Sequence, residues 1–160
     1  MAMARFQIDW VLIDELAIGP APRAERHVFR LQDAGVKAVL SLCSKEEVLP
    51  PPTIEEHFVC SRFVLPDHRS GRLPEPTELL QALNLLAQLH QNHGSVFVHC
   101  IAAMERSPLV CLAWLVQHQG LSPEAALDYL MQVHPGTNPL PGQLALLRNP
   151  MFNAAELGAP

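Results

Sequence analysis

The spacing of apolar residues changes several times along the chain, and each change predicts an element. Over residues 6–12, Phe6, Ile8, Trp10 and Leu12 alternate with Gln7, Asp9 and Val11, a period of two that predicts a half-buried strand. Asp14 and Glu15 turn the chain into a second strand at Leu16, Ala17 and Ile18. Pro20 and Pro22 open a helix over 23–34 that Gly35 ends, and Val39, Leu40 and Leu42 make 37–43 a buried strand. The triple proline at 50–52 interrupts the chain before a short helix over 53–57 and a strand over 58–65.

In the second half the helical period dominates. Pro74 and Pro76 introduce a helix to residue 92, with Leu79, Leu80, Leu83, Leu86 and Ala87 on one face and Gly94 beyond its end. Ser95, Val96, Phe97 and Val98 form a short β-favouring run that reads as a central strand. Leu109, Val110, Leu112, Ala113, Leu115 and Val116 return to helical spacing until Gly120, with Pro108 accommodated in the first turn. Ser122 and Pro123 begin a further helix striped by Leu127, Leu130 and Met131, and Pro135-Gly136 stops it. A last short helix is expected over 141–147, and a frayed tail from Asn149 onward. Strands separated by helices imply parallel pairing. The expected architecture is therefore a single α/β domain over 1–150, followed by a tail over 151–160. Its core is a central mixed, mainly parallel sheet of about five strands flanked by helices.

Composition narrows the function. The 160 residues are 49% hydrophobic, enough for one globular core, and the net charge of −5 disfavours a broad basic face for nucleic acid or acidic membrane. Attraction for an anion must then be local. No apolar run approaches a membrane span, and residues 1–6 lack the pattern of a secretory signal, so a cytoplasmic location and no membrane partner are expected. Four cysteines without paired zinc-like spacing read as reduced thiols, with no metal.

Local attraction for an anion is found where the short strand meets the following helix. The chain there reads Val98-His99-Cys100-Ile101-Ala102-Ala103-Met104-Glu105-Arg106-Ser107-Pro108. A thiol at a strand's end, a short loop and an arginine at a helix start form an anion cradle around a sulfur nucleophile. Loop amides and the helix dipole favour a thiolate and an oxyanion. Arg106 offers a planar fork for two phosphate oxygens, and Ser107 can donate to the sulfur when the thiolate must leave. Cys100 as an inert core residue would leave Arg106 without a reason.

His99, Cys100, Arg106 and Ser107 together match His-Cys-x5-Arg-Ser/Thr, and in this the chain resembles the cysteine-dependent protein tyrosine and dual-specificity phosphatases. The resemblance extends over roughly the whole chain. It implies attack by Cys100, and substrate binding by the loop residues Ile101, Ala102, Ala103, Met104 and Glu105 together with Arg106. It also implies a general acid on an upstream loop, and Asp67 in Leu65-Pro66-Asp67-His68-Arg69-Ser70-Gly71 occupies that context. The alternative for Asp67 is a carboxylate that caps the turn before Ser70 and Gly71. His99 is expected to orient the loop; His68 and Arg69 either touch substrate or are solvated. Cys43 resembles a second cysteine that forms a reversible disulfide with the nucleophile in some members, against the reading of a reduced core thiol. One residue departs from the family: Ala103 stands where glycine is usual, and keeping a left-handed backbone there would cost alanine about 1 to 2 kcal/mol.

The expected activity is hydrolysis of phosphotyrosine, with phosphoserine and phosphothreonine, through a cysteinyl-phosphate intermediate. The expected partner is a phosphorylated protein or a small aryl phosphate, the protein acting as a monomer without a cofactor. Ile101, Met104 and Glu105 put no lysine in the loop, which disfavours a heavily anionic substrate. Two alternatives remain open: a weakly catalytic phosphate-binding module, because of Ala103, and a sulfurtransferase or arsenate-reductase-like thiol enzyme.

Overall fold

The computed structural model describes residues 5–153. Among the described residues five strands form one sheet in the order β1-β2-β5-β3-β4. They are β1 (Asp9–Leu12), β2 (Leu16–Gly19), β3 (Ala38–Ser41), β4 (Val59–Arg62) and β5 (Val96–His99). Among these described strands the β1–β2 pair is antiparallel and the others are parallel. Helices α1 (Glu25–Asp33), α2 (Ile54–His57), α3 (Pro76–His93), α4 (Arg106–Gln119), α5 (Pro123–Val133) and α6 (Pro141–Leu146) flank it. The strands are shorter than the apolar runs that predict them, because Leu42, Cys43 and Leu65 are buried in loops beyond the ladder.

The sheet is covered on both faces. One face packs against α3, α4 and α5 through Leu16, Ile18, Leu40, Val96, Val98 and the apolar side of α4; the other packs Ala17, Val39 and Phe97 against Val28 and Leu31 of α1. This two-sided burial explains why β5 is apolar at consecutive positions rather than alternating. It also revises the first strand: Val11, counted with the polar set by its alternation, is fully buried, and Trp10 is only half-buried at an irregularity in the hairpin register. Gly19 has a steric cause, since a Cβ there would lie 2.1 Å from the Gln7 carbonyl oxygen.

The chain beyond Asn149 is not uniformly frayed. Pro150–Phe152 form a 3-10 turn, and Phe152 is fully buried against α4, so the packed core extends past residue 150. Residues 154–160, the remainder of the expected tail, lie outside the described residues.

With β5 central and parallel to both β2 and β3, the loops that leave β2, β3, β4 and β5 share one end of the sheet. The carboxyl ends of parallel strands, where connections diverge to opposite faces, are where such folds build their sites. The Cys100 loop follows β5, Cys43 and Glu47 follow β3, and Asp67 follows β4.

Candidate active site

Cys100 directly follows β5, and Arg106 is the first residue of α4, so the intervening loop crosses the front of that helix. The Cys100 Sγ lies 3.3 Å from Ser107 Oγ in the first turn. A hydroxyl at this distance can hydrogen-bond a thiolate. Cys100, Ile101, Ala102, Met104, Glu105 and Arg106 line a cleft of about 560 Å³, faced by Asp67, His68 and Arg69 and closed on one side by Asn138 and Leu140.

Ala103 is the loop residue absent from that lining. It is fully buried, and its φ is +59°, the left-handed conformation in which glycine is comfortable and alanine is strained. Its carbonyl is held from behind: His134 Nε2 donates to it at 2.6 Å, while Asp9 Oδ2 accepts from Nδ1 of the same ring at 2.7 Å. The Asn138 amide donates to the Met104 carbonyl at 2.8 Å, and Gln143 Nε2 donates to Glu105 Oε1 at 3.1 Å. The strained loop is therefore tied to β1, to the end of α5 and to α6.

His99 orients the base of the loop. Its Nδ1 donates to the Cys100 carbonyl at 2.9 Å, which leaves Nε2 to accept from the Ser41 hydroxyl at 2.7 Å. Burial pushes its pKa down to about 4, with the bond to the Cys100 carbonyl opposing and Arg62 and Arg106 assisting. A neutral ring of one tautomer is what this pair of bonds requires. Cys43 Sγ lies 4.0 Å from the same Nδ1, and burial foremost raises the Cys43 thiol's pKa.

Arg106 is almost completely buried and already engaged. Its Nη1 donates to the carbonyls of Leu42 at 3.3 Å and Leu65 at 3.2 Å and to Glu47 Oε2 at 3.2 Å, while Nη2 donates to Glu47 Oε1 at 2.9 Å. Glu47 thus occupies the end of the guanidinium that carries both Nη atoms. The side edge, Nε with the second hydrogen of Nη2, remains for two oxygens of a phosphate. Burial works against both charges; the bond to Glu47 nevertheless raises the Arg106 pKa, and the Arg106 and Ser44 bonds hold Glu47 below the usual carboxylate range.

Asp67 combines the two roles considered for it. Its Oδ1 accepts from the Arg69 amide at 3.0 Å and from Ser70 Oγ at 3.1 Å, which caps the turn. Its Oδ2 accepts from Arg69 Nε at 3.0 Å and lies 3.9 Å from Arg106 Nη2. Burial alone would raise its pKa, but the Arg69 and Ser70 bonds and the Arg106 charge outweigh that and lower it. The carboxyl is thus at the cleft and held as a carboxylate.

Five contributors lie outside the motif: Glu47, Asn138, Gln143, His134 and Asp9. Glu47 had a local signal: Ser44-Lys45-Glu46-Glu47 has the Ser-x-x-Glu spacing of a capping box, and the reciprocal bonds form, Ser44 amide to Glu47 Oε2 at 2.8 Å and Glu47 amide to Ser44 Oγ at 3.2 Å. Asn138 lies in a proline-rich loop and Gln143 in the first turn of the short helix expected over 141–147, and no motif marks either. His134 and Asp9 are distant in sequence, and nothing local links them. Among the described residues no group of His, Cys, Asp and Glu is arranged to hold a metal ion.

Residues 23–150 match the family model described as the dual specificity phosphatase catalytic domain. The chain is 26% identical over 126 residues to the Arabidopsis thaliana phosphatidylglycerophosphate phosphatase PTPMT2, covering 79% of this chain and 55% of that protein. It is 27% identical over 126 residues to the Arabidopsis thaliana dual specificity protein phosphatase PHS1, covering 79% of this chain and 13% of that one. The chain therefore spans about half or less of the length of these relatives. Among solved structures, PTPMT1 in complex with PI(5)P superposes with a TM-score of 0.79 at 20% identity, over 95% of this chain and 99% of that chain. Tk-PTP in its active form superposes with a TM-score of 0.76 at 24% identity, over 88% and 93% of the two chains.

Proposed function

The chain belongs to the dual specificity phosphatase catalytic-domain family, and from that premise we propose that it hydrolyses phosphate monoesters through a cysteinyl-phosphate intermediate. The observation that carries this reading is the placement of Cys100 Sγ beside Ser107 Oγ at the front of α4, with the side edge of Arg106 left open at the same cleft. Cys100 attacks phosphorus while Arg106 and the loop amides bind the equatorial oxygens, and the leaving oxygen takes a proton from Asp67. Water then attacks the phosphocysteine with Asp67 as base, and Ser107 hydrogen-bonds the departing thiolate. Protonation of Asp67 before the first step requires that Arg69 release it, since Arg69 Nε is bonded to Oδ2.

The left-handed Ala103 favours an active loop over a phosphate-binding relic, because alanine takes the backbone shape that glycine would take. A cleft rimmed by the short turn of Asp67, His68 and Arg69 suits phosphoserine and phosphothreonine as well as phosphotyrosine on a protein. A second substrate reading is a lipid phosphate monoester: PTPMT2 carries a phosphatidylglycerophosphate phosphatase name, and Ile101, Met104 and Leu140 give the cleft an apolar wall. Turnover of p-nitrophenyl phosphate by the wild type, abolished in Cys100→Ser, tests the reaction. Absence of wild-type turnover would overturn it, and phosphate release from a phosphotyrosyl peptide against dispersed phosphatidylglycerophosphate separates the two substrates.

A further inference from the structure

A second cleft, of about 490 Å³, lies at the front of α1 and is lined by Arg5, Arg23, Arg26, Arg30, Phe6 and His27. Its charge is one-sided. Arg69, Arg72, Arg106 and Arg148 are each paired with a carboxylate, whereas no ion pair involves these four arginines among the described residues. The nearest acid on the helix, Glu25, is turned away to accept from the Thr53 hydroxyl. A chain of net charge −5 thus concentrates uncompensated cations at one place.

Two further groups point to an anion. Ala24 stands at the helix cap, where it has no side-chain acceptor, so the amides of Glu25 and Arg26 have no hydrogen-bond partner among the described residues. His27 is more than nine-tenths buried, and its Nδ1 accepts from the Arg23 amide at 2.9 Å and the Ala24 amide at 3.3 Å. The ring hydrogen therefore sits on Nε2, which has no partner among the described residues while the ring lines the cleft. Burial first, then Arg26, Arg30 and Arg23, lower the His27 pKa, which keeps the ring neutral and its Nε2 a donor. The ring is stacked on Phe6 with centroids 4.2 Å apart, and Arg30 Nη1 donates to the Phe6 carbonyl at 2.7 Å, so the floor is fixed.

We propose that this cleft is a non-catalytic phosphate site, in which His27 Nε2, the open amides of α1 and the Arg23 and Arg26 side chains bind a phosphate group. It adjoins the catalytic loop: the Ala21 amide donates to the Ile101 carbonyl at 2.9 Å, and Arg23 follows two residues later, within about 8 Å along the chain. A bound phosphate here would hold its carrier beside Cys100 without entering the reaction. The group can arrive on an anionic lipid headgroup or as free phosphate, and both present non-bridging phosphate oxygens.

The test is a titration of the full chain with inorganic phosphate, followed by amide NMR. The amides of Glu25 and Arg26 are expected to shift saturably, separately from those of the catalytic loop. In the double variant Arg23→Gln, Arg26→Gln the α1 response weakens at least tenfold while p-nitrophenyl phosphate turnover stays within twofold of wild type, which also shows that the variant is folded. Co-sedimentation with phosphatidylcholine vesicles with and without phosphatidylglycerol distinguishes the sources. Sedimentation that needs phosphatidylglycerol and the two arginines assigns the headgroup, and an α1 titration without sedimentation assigns free phosphate. Phosphate that shifts only the catalytic loop, or an α1 response unchanged in the double variant, overturns the proposal whether or not the chain is a phosphatase.

Discussion

His134 Nε2 donates to the carbonyl of Ala103, 2.6 Å away, and this bond holds a residue whose φ of +59° alanine rarely adopts. The strain and the clamp should be energetically coupled. His134→Ala is expected to destabilise by about 2 kcal/mol and to reduce kcat/KM, because the buried Ala103 carbonyl and the partly buried Asp9 carboxylate both lose their donor. Ala103→Gly should relieve about 1 kcal/mol of backbone strain. In the Ala103→Gly background the kcat/KM loss from His134→Ala is expected to shrink several-fold, as glycine holds the left-handed shape unaided. A double-mutant cycle on urea midpoints and kcat/KM reads the coupling; strictly additive effects would show that the clamp acts elsewhere.

Arg69 and Asp67 make a prediction about pH. A group lowered in the folded protein donates its proton only at more acidic pH, so the limb of the rate profile that needs protonated Asp67 should fall early. Arg69→Ala removes the foremost lowering bond and should move that limb to higher pH. Asp67→Asn should slow an alkyl phosphate by roughly 10² or more and p-nitrophenyl phosphate much less, since its leaving group needs little protonation. Equal losses on both substrates would assign Asp67 to positioning alone.

Glu47→Gln leaves the guanidinium of Arg106 buried among carbonyls with a weakened partner. A tenfold to hundredfold loss of kcat/KM, about 1.4 to 2.7 kcal/mol, is expected, with KM for phosphate esters carrying part of it. Steady-state kinetics and inhibition by vanadate measure the two contributions.

His99 makes folding stability depend on acid. Its folded pKa of about 4 lies below its ordinary value of 6.5, so the unfolded chain binds the proton more readily. Stability from this group is complete above about pH 6.5 and is lost as pH falls toward 4, by roughly 3 kcal/mol in all. Denaturant midpoints across that range should decline, and His99→Asn should flatten the decline.

Cys43 and Cys100 are both free, buried thiols around His99. With mild peroxide, Cys100 should become a sulfenic acid that Cys43 displaces as water, giving a disulfide. Mass spectrometry should find the intact chain two hydrogens lighter and a Cys43–Cys100 peptide. Because burial raises the Cys43 pKa, closure should quicken with rising pH. Cys43→Ser should instead accumulate the sulfinic acid, and an unlinked wild type would refute the pairing.

Much of the fold was legible because its signals are local. The apolar run at Val96 to Val98, Gly94 before it and Pro108 after it define the strand and helix that carry Cys100 and Arg106. The left-handed backbone at residue 103 could be expected from the residue type usual there. Glu47 carried a capping signal but no sign that its carboxylate would meet Arg106, because that contact depends on how the β3 and β5 loops converge. The Asp9, His134 and Ala103 chain joins three elements, and the α1 cleft needs the neutral tautomer of His27, which only its bonds to Arg23 and Ala24 establish. Such features belong to tertiary structure.

The carboxylate of Glu47 across the far end of Arg106 also bears on how turnover ends. An arginine held by four bonds has lost its rotamer freedom on folding, roughly 2 kcal/mol that an incoming phosphate need not supply again. Preorganisation of this kind does not distinguish the ester from the released product. Inorganic phosphate should therefore be a competitive inhibitor, and with a good leaving group, which speeds only the first step, hydrolysis of the phosphocysteine and departure of phosphate should set the pace.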